Sequence, residues 1–322
     1  MFHRSTRAMV IGALTVVLSA PTAGAFAAAA VAASGTPADP AAVPHPQTRK
    51  DLEQSMRGEA FAHASYRLYA EQARREGLAS VARLFERAAG EELNDHFKNA
   101  AALSGLPAGD AANLRDAIAG EDYESQTMYP GFARQAKADG DTAAADRFAE
   151  VAQDESTHSQ AFRTALRVVE SGQGSVPAPP DVETVEVPAG PAKVHAQRTK
   201  DNLDTSMHGE ALAYAKYRLY GENADHPSVG RLFRGNADVE LHEHFAEEAQ
   251  LAGSVGTTHA NLTTAIAGER YESQTMYPTF AERAEAVGDT EASRVFAHNA
   301  EDEAGHARAF EKARDDLAEQ AG

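Results

Sequence analysis

Two carboxylates one helical turn apart, Glu121 and Glu124, sit in the string AGEDYESQTMYP at 119–130. The string returns almost letter for letter as AGERYESQTMYP at 267–278, with Glu269 and Glu272 in the same places. Read as a helix, Glu121 lies in line with Leu114, Ala117 and Ile118 before it and Met128 and Phe132 after it, the buried stripe of an amphipathic helix. Glu124, at i+3, shares that face. Two unpaired buried carboxylates would cost several kcal/mol or take up protons. Coordinated cations are the simplest compensation.

Every helix of the repeat puts an acid on its apolar face. Glu59 lies in line with Leu52, Met56, Ala62 and Tyr66; Glu92 follows Leu84, Phe85 and Ala88, with Asp95 and His96 one turn on; Glu155 and His158 stand at i, i+3 between Phe148 and Phe162. The second repeat offers Glu210, then Glu240 with Glu243 and His244, then Glu303 with His306. One glutamate in a helix is ordinarily a solvated surface charge. Five at stripe centres, each present twice, reverse that reading. A Glu and His pair at i, i+3, joined by inward carboxylates from three other helices, is the ligand set for two divalent metals in a bundle core.

The helices that must position these residues fall at about 47–75, 79–104, 111–138 and 141–170, separated by Gly77, by SGLPAG and by the ADGDT turn. The same four recur over 197–320. Between the first two helices EQARREGLAS becomes ENADHPS, a loss of three residues that a loop absorbs. Pro130 falls inside the third helix and removes one backbone hydrogen bond, so a kink is expected there rather than a stop. Residues 171–196 hold five prolines and three glycines and read as a linker. Extended, it reaches about 85 Å, so it does not dictate how the halves dock. The expected fold class is all-α, two tandem four-helix bundles, one in 47–170 and one in 197–320.

Composition narrows the chemistry. Asp and Glu number 48 against 30 Lys and Arg, which argues against nucleic acid and anionic membrane surfaces as partners. There is no cysteine, which excludes disulfides, thiolate zinc sites, iron-sulfur clusters and thiol redox chemistry. Redox work must rest on a metal held by oxygen and nitrogen. At the N-terminus, Arg4 and Arg7 precede the apolar run AMVIGALTVVLSA and the small-residue string TAGA, the order of a secretory signal within 1–34. The rival reading is an uncleaved membrane anchor over 8–34.

Both repeats resemble the ferritin-like domain of rubrerythrins. The resemblance rests on the Gly-Glu that opens the first site helix, on AGE-x-x-E-x-x-x-MYP-x-F and on F-A-x-x-A-x-x-E-x-x-H. It implies two ferritin-like di-iron sites. One would use Glu59, Glu92, Glu121, Glu124, Glu155 and His158; the other Glu210, Glu240, Glu269, Glu272, Glu303 and His306. It also implies peroxide reduction, and it matches Tyr66, Tyr129, Tyr217 and Tyr277 to tyrosines near the family's di-iron centre, the catalytic candidates here; core packing is their other reading. Two departures stand out. The family usually has Glu-x-x-His on the second helix, whereas here Asp95 and Glu243 hold i+3 while His96 and His244 hold i+4. Either can approach the metal on a regular helix, and a local bulge restores the family register. We expect the histidines to be the ligands, because carboxylates alone would overload two Fe(II) ions with negative charge. The second departure is the missing four-cysteine rubredoxin-like domain, so electrons are expected from an external donor.

Three functions compete. The first is an exported di-iron oxidoreductase that reduces hydrogen peroxide, or oxidises Fe(II) with peroxide or oxygen. The second is extracellular sequestration of iron, manganese or zinc without catalysis. The third is a structural tandem bundle with vestigial sites. His63, whose counterpart is Tyr214, reads as a packing or surface residue, and His242, His259 and His298 are unmatched in the other repeat. The repeats are expected to pair within the chain or between copies.

Overall fold

The structure, a computed structural model, describes residues 43–321. The signal and anchor readings therefore lie outside the described residues. No helix among those described is long and apolar enough to cross a membrane.

Eight helices make the fold of the described residues. In the first repeat α1 is Pro46–Arg75, α2 spans 79–103, α3 spans 110–139 and α4 is Thr142–Ser171. In the second, α5 is Gln197–Glu222, α6 spans 227–252, α7 spans 258–286 and α8 is Thr290–Ala321. Starts and stops follow local chemistry. Pro46 opens α1 behind His45, whose ring accepts from the Gln47 N–H, and Gly140 and Gly172 close α3 and α4 in the left-handed conformation.

Four helices are not α-helical throughout. α2 and α6 pass through π turns at Glu92–Phe97 and Glu240–His244, and α3 and α7 at Glu124–Met128 and Glu272–Met276. Each begins on one of the glutamates singled out from sequence. In α3 and α7 the turn ends just ahead of Pro130 and Pro278, which cannot donate to the ladder, and the helix runs on past both.

The helices form two four-helix bundles, but neither bundle is one repeat. The α1–α2 hairpin packs with α7 and α8, while α3 and α4 pack with α5 and α6. We call these bundle A and bundle B. The expectation of one bundle per repeat is corrected accordingly. The cause is visible in the packing of the two first helices: α1 and α5 lie against each other, with Phe61 stacked on His208 at 3.8 Å and His63 on Tyr214 at 5.5 Å. With α1 and α5 as a shared spine, each repeat's second hairpin meets the other repeat's first. Capping is exchanged too. Asp110 accepts from the backbone N–H groups of Asp225 and His226, and Glu76 from that of Thr258.

The linker is fastened along this assembly. Val185 N–H donates to His242 O, Lys193 N–H to Leu251 O, and His195 and Ala196 N–H to the Asp141 carboxylate. Gly253 fits under it for two reasons: its φ is 65°, and a Cβ would stand 2.3 Å from the Ala192 nitrogen.

Candidate metal centres

Each bundle holds one cluster of buried carboxylates and imidazoles. Centre A draws Glu59 from α1, Glu92 and His96 from α2, Glu269 from α7, and Glu303 and His306 from α8. Centre B draws Glu121 from α3, Glu155 and His158 from α4, Glu210 from α5, and Glu240 and His244 from α6. Each cluster resolves into two overlapping groups of four. In centre A they are Glu59, Glu92, His96, Glu303 and Glu92, Glu269, Glu303, His306, so Glu92 and Glu303 are common to both; Glu155 and Glu240 are the common pair in centre B. Within a group the potential ligand atoms lie within 4.8 Å of one another. Two cation positions bridged by two carboxylates, each with its own histidine and its own outer glutamate, is what this geometry offers.

The distances repeat between centres. His96 Nδ1 lies 2.9 Å from Glu303 Oε1, 3.0 Å from Glu92 Oε2 and 3.6 Å from Glu59 Oε2. His244 Nδ1 lies 2.9 Å from Glu155 Oε1, 3.0 Å from Glu240 Oε2 and 3.5 Å from Glu210 Oε2. The partner imidazoles match as well: His306 Nδ1 is 3.0 Å from Glu303 Oε2, and His158 Nδ1 is 2.9 Å from Glu155 Oε2. Glu124 and Glu272 are partly buried beside the clusters. Glu272 Oε1 lies 3.5 Å from where a Cβ on Gly58 would stand, and Glu124 Oε1 lies 3.4 Å from the same point on Gly209. The Gly-Glu pair of α1 and α5 thus leaves room for the second glutamate of the opposite repeat. The two single-repeat ligand sets that the resemblance implied are corrected to these mixed sets: Glu121, Glu124, Glu155 and His158 share a centre with Glu210 and Glu240, and Glu269, Glu272, Glu303 and His306 with Glu59 and Glu92.

The π turns decide which residue of the second helix faces in. Widening the turn at Glu92 rotates i+3 off the inner face and leaves i+4 over it. His96 and His244 are fully buried, whereas Asp95 and Glu243 are partly exposed and outside both clusters. Asp95 accepts from the Asn99 amide, and Glu243 from the Glu183 N–H of the linker.

The donor set fits divalent cations on an observation independent of any motif. In each of Glu59, Glu92, Glu269 and Glu303, and of Glu121, Glu155, Glu210 and Glu240, one buried carboxylate oxygen has no hydrogen-bond partner among the described residues. Such atoms cost free energy unless something positive binds them. Protonation is shaped accordingly. Burial, reinforced by the charge of Glu303, pushes Glu59 well above the usual carboxylate range, and burial with the Glu155 charge does the same to Glu121 and Glu210. Burial also raises Glu269, Glu124 and Glu272. On shared Glu92 burial acts in the same upward sense, but His306 and His96 outweigh it and hold the group down at about 2. Glu155 and Glu240 are likewise held low by His158 and His244 against burial. All four site histidines are raised, the surrounding glutamates overcoming burial. These shifts favour protons on the outer glutamates and imidazoles, which bound cations would displace.

The four tyrosines each donate to an outer glutamate: Tyr66 to Glu269 Oε1 and Tyr217 to Glu121 Oε1, both at 2.5 Å, Tyr277 to Glu59 and Tyr129 to Glu210. They bond and pack at once. Tyr66 joins Phe85 and Phe310, and Tyr217 joins Phe162 and Phe233, an aromatic layer that closes one end of each centre; Tyr277 with Phe296 and Tyr129 with Phe148 close the other.

Sequence reading missed the residues behind the histidines. His96 Nε2 hydrogen-bonds Asp302 Oδ2 at 3.4 Å, which turns Nδ1 towards the cluster, and His244 Nε2 lies 3.5 Å from Asp154 Oδ2, at ion-pair distance but without a hydrogen bond. The available signal was the residue before each α4 and α8 glutamate, an aspartate in both repeats. His306 Nε2 lies 3.0 Å from Glu91. Exposed His298 pairs with Asp302 at 3.3 Å and so borders centre A, while His63 is buried, donates its Nδ1–H to Ala89 O at 2.6 Å and packs between the bundles, away from either cluster.

The rubrerythrin family model matches residues 50–166 and 233–314, more than half of the chain. Among curated proteins, rubrerythrin-2 of Clostridium acetobutylicum is 35% identical over 137 residues, covering 38% of this chain and 74% of that protein. Rubrerythrin of Nitratidesulfovibrio vulgaris is 36% identical over 129 residues, 35% of this chain and 67% of the relative, and nigerythrin of the same organism is 30% identical, covering 38% and 68%. No solved structure matches significantly. A helical bundle fold, a duplicated motif set and two carboxylate-histidine clusters agree with these similarities, and the chain belongs to the rubrerythrin family.

Proposed function

We propose that the chain is an exported di-iron oxidoreductase that reduces hydrogen peroxide, or oxidises Fe(II) at peroxide's or oxygen's expense, at two dinuclear centres. The observation that carries this reading is the shared carboxylate pair in each cluster, flanked by one histidine and one outer glutamate on either side. Sequestration needs ligands but no second-sphere proton donors, and each outer glutamate here receives a phenolic hydrogen bond.

Held by these residues, an iron pair would supply the two electrons that peroxide reduction takes up. The protein's own residues do the rest. Glu92 with Glu303, and Glu155 with Glu240, would span the two ions. His96, His306, His158 and His244 would bind one ion each, Asp302 and Asp154 holding the first and last of this set in register. The aromatic layers exclude bulk water, and the tyrosine hydroxyls keep protons beside the outer glutamates. Over centre B a cavity of about 160 Å³, lined by Asp154, Thr157, His158, Pro180, Asp181, Val239 and Glu243, is large enough for a peroxide-sized substrate. Electrons come from another molecule, since the chain carries no cysteine for a four-cysteine iron site. For localisation, the charged, apolar and small-residue order at the N-terminus supports export, with a mature start between residues 26 and 35.

The test is elemental analysis of protein from its native compartment, followed by peroxide titration of the Fe(II) form under optical observation. About one equivalent of peroxide per centre should oxidise the iron, and added reductant should restore the reaction repeatedly. Full metal content with no peroxide or oxygen reactivity would leave sequestration as the function. N-terminal sequencing of exported protein checks the start; an intact Met1 on membrane-bound protein would favour the anchor.

A further inference from the structure

The outer face of centre A carries a second group of ligating side chains. His96 and His306 present Nδ1 to the cluster, and each turns Nε2 outward to a carboxylate, His96 to Asp302 Oδ2 at 3.4 Å and His306 to Glu91 Oε2 at 3.0 Å. The two carboxylates come close, for the potential ligand atoms of Glu91, His96 and Asp302 lie within 4.8 Å of one another. One turn back on α8, at i−4 from Asp302, His298 sets Nε2 3.3 Å from Asp302 Oδ2. Two acids this near repel each other unless a cation lies between them. Among the described residues their ionic partners are all histidines, and no Lys or Arg reaches either.

We infer that Glu91, Asp302 and His298 form a third site for a divalent cation, on the solvent side of centre A, from which that centre is filled. A carboxylate has about four lone-pair sites. Asp302 Oδ2 can accept from His96 and still bind an ion beside His298, while Glu91 gives Oε2 to His306 and keeps Oε1. Bonds of about 2.0 Å to a tetrahedral ion place neighbouring ligand atoms about 3.3 Å apart. That is the separation between His298 Nε2 and Asp302 Oδ2. One nitrogen and two carboxylates, completed by water, suit a first-row divalent ion. The Glu91 and His298 side chains are 44% and 58% exposed, so ions reach them from solvent, and Asp302, at 26%, leads inward to the His96 ligand behind it.

Bundle B lacks the site, and charge explains why. The row Val295, His298, Asp302 on α8 reads Arg147, Glu150, Asp154 on α4, and Glu91 is replaced by Val239. Arg147 lies 3.2 Å from Glu150, so a fixed guanidinium supplies the positive charge there. Bundle A has no arginine at that place and one more acid. Both differences favour a bound ion over centre A and disfavour one over centre B. The inference rests on the reading of centre A as a cation centre, and not on the peroxide chemistry.

Equilibrium dialysis of the full chain against excess Zn(II), read by elemental analysis, counts the sites. The two dinuclear centres account for four ions per chain, so the wild type should hold five, one of which a weak chelator removes first. Exposed His298 can be cut back without loss of packing, and His298→Ala should hold four. Glu91→Gln, which keeps an acceptor for His306 Nε2, should weaken the fifth ion by roughly 10-fold and leave the other four. Four ions in the wild type, or a fifth ion of unchanged affinity in either variant, overturns the proposal. Fewer than four in His298→Ala also overturns it, by making His298 a member of centre A. Filling should show the same asymmetry. When Co(II) is mixed with the metal-free full chain, its ligand-field absorbance should rise in two phases, one of which His298→Ala slows by roughly 10-fold, the low end of what a charged approach contributes. Unchanged rates, or equal slowing of both phases, overturn the loading role. A wild type that holds no zinc against the weak chelator would sink the two dinuclear centres themselves, a result distinct from the loss of the fifth ion alone.

Discussion

Centres A and B hold the same donors at nearly the same distances in different surroundings. Glu91 beside His306 is replaced by Val239 beside His158, exposed His298 by Glu150, and Ala100 by Glu248. The linker residues Pro180 and Asp181 wall the cavity over centre B, and His306 is more exposed than His158. The difference teaches which positions the chemistry fixes. Ligands must satisfy a bridged cation pair and tolerate no drift, while residues one layer out only tune access and protons, and there the two repeats have separated.

The largest effect should come from pairing ligand deletions across the chain. Glu59→Ala with Glu303→Ala removes two ligands from one centre, so metal content should fall by about half. Glu59→Ala with Glu155→Ala strikes both centres, and metal content should fall to near zero if each remaining site loses the 10-fold or more that shell changes cause. Elemental analysis reads both. If centres were confined to single repeats the outcomes would be reversed, since Glu59 and Glu155 both belong to the first.

Next in size is a pH effect peculiar to centre B. Glu248 rises from 4.5 to about 7 on folding, so it favours the folded state below pH 4.5 and loses that contribution as pH climbs through about 7. The sum is up to about 3 kcal/mol by the usual conversion. Glu248→Gln, with the same metal load, should therefore gain on the wild type between about pH 5 and pH 8 in urea unfolding. A pH-independent difference would show that Glu248 does not titrate in this range.

Much of this was legible in the sequence. Helix limits read from glycines and apolar spacing agree with the four helices of the first repeat to within a residue, and the glutamates at stripe centres are the ones that cluster. What sequence did not reveal was the partnering. Periodicity says that Glu121 faces a core, and not whose core, because the apolar faces of the two repeats are nearly interchangeable and a linker of 26 residues permits either docking. A local bulge at Glu92 and Glu240 was one of two readings the spacing Glu92 to His96 allowed, since that spacing also fits a regular α-helix loosely; the π turns of α3 and α7 escaped, because only the ladder shows the inserted residue. Asp154 and Asp302 act through an imidazole, a role that leaves no period behind.

Those two aspartates provide the third test. If each orients its histidine by accepting from Nε2, Asp302→Asn should weaken metal binding at centre A and Asp154→Asn at centre B, each by roughly 10- to 100-fold. Competition with a chromophoric chelator would report two affinity classes in either variant. Because Asp302 also pairs with His298 at 3.3 Å while Asp154 is about half exposed, the loss should be greater at centre A. Equal affinities in all forms would show that the π turns alone orient His96 and His244.

The smallest effect concerns packing one turn from Glu303. Asn299 is fully buried, and neither its amide oxygen nor its amide nitrogen has a hydrogen-bond partner among the described residues; the same place in bundle B is Val151, also fully buried. A buried amide left unpaired costs about 1–3 kcal/mol. Asn299→Val should therefore stabilise the protein by about 1 kcal/mol, the lower bound, since valine is somewhat larger and must be accommodated. The reverse change, Val151→Asn, should destabilise by about 2 kcal/mol, because it adds the unpaired amide and removes apolar packing together. Urea midpoints at constant slope measure both. If Asn299→Val instead lowers stability while Val151→Asn is harmless, the amide is bound to something in centre A that centre B does without, and the two centres differ in their interiors as well as their surroundings.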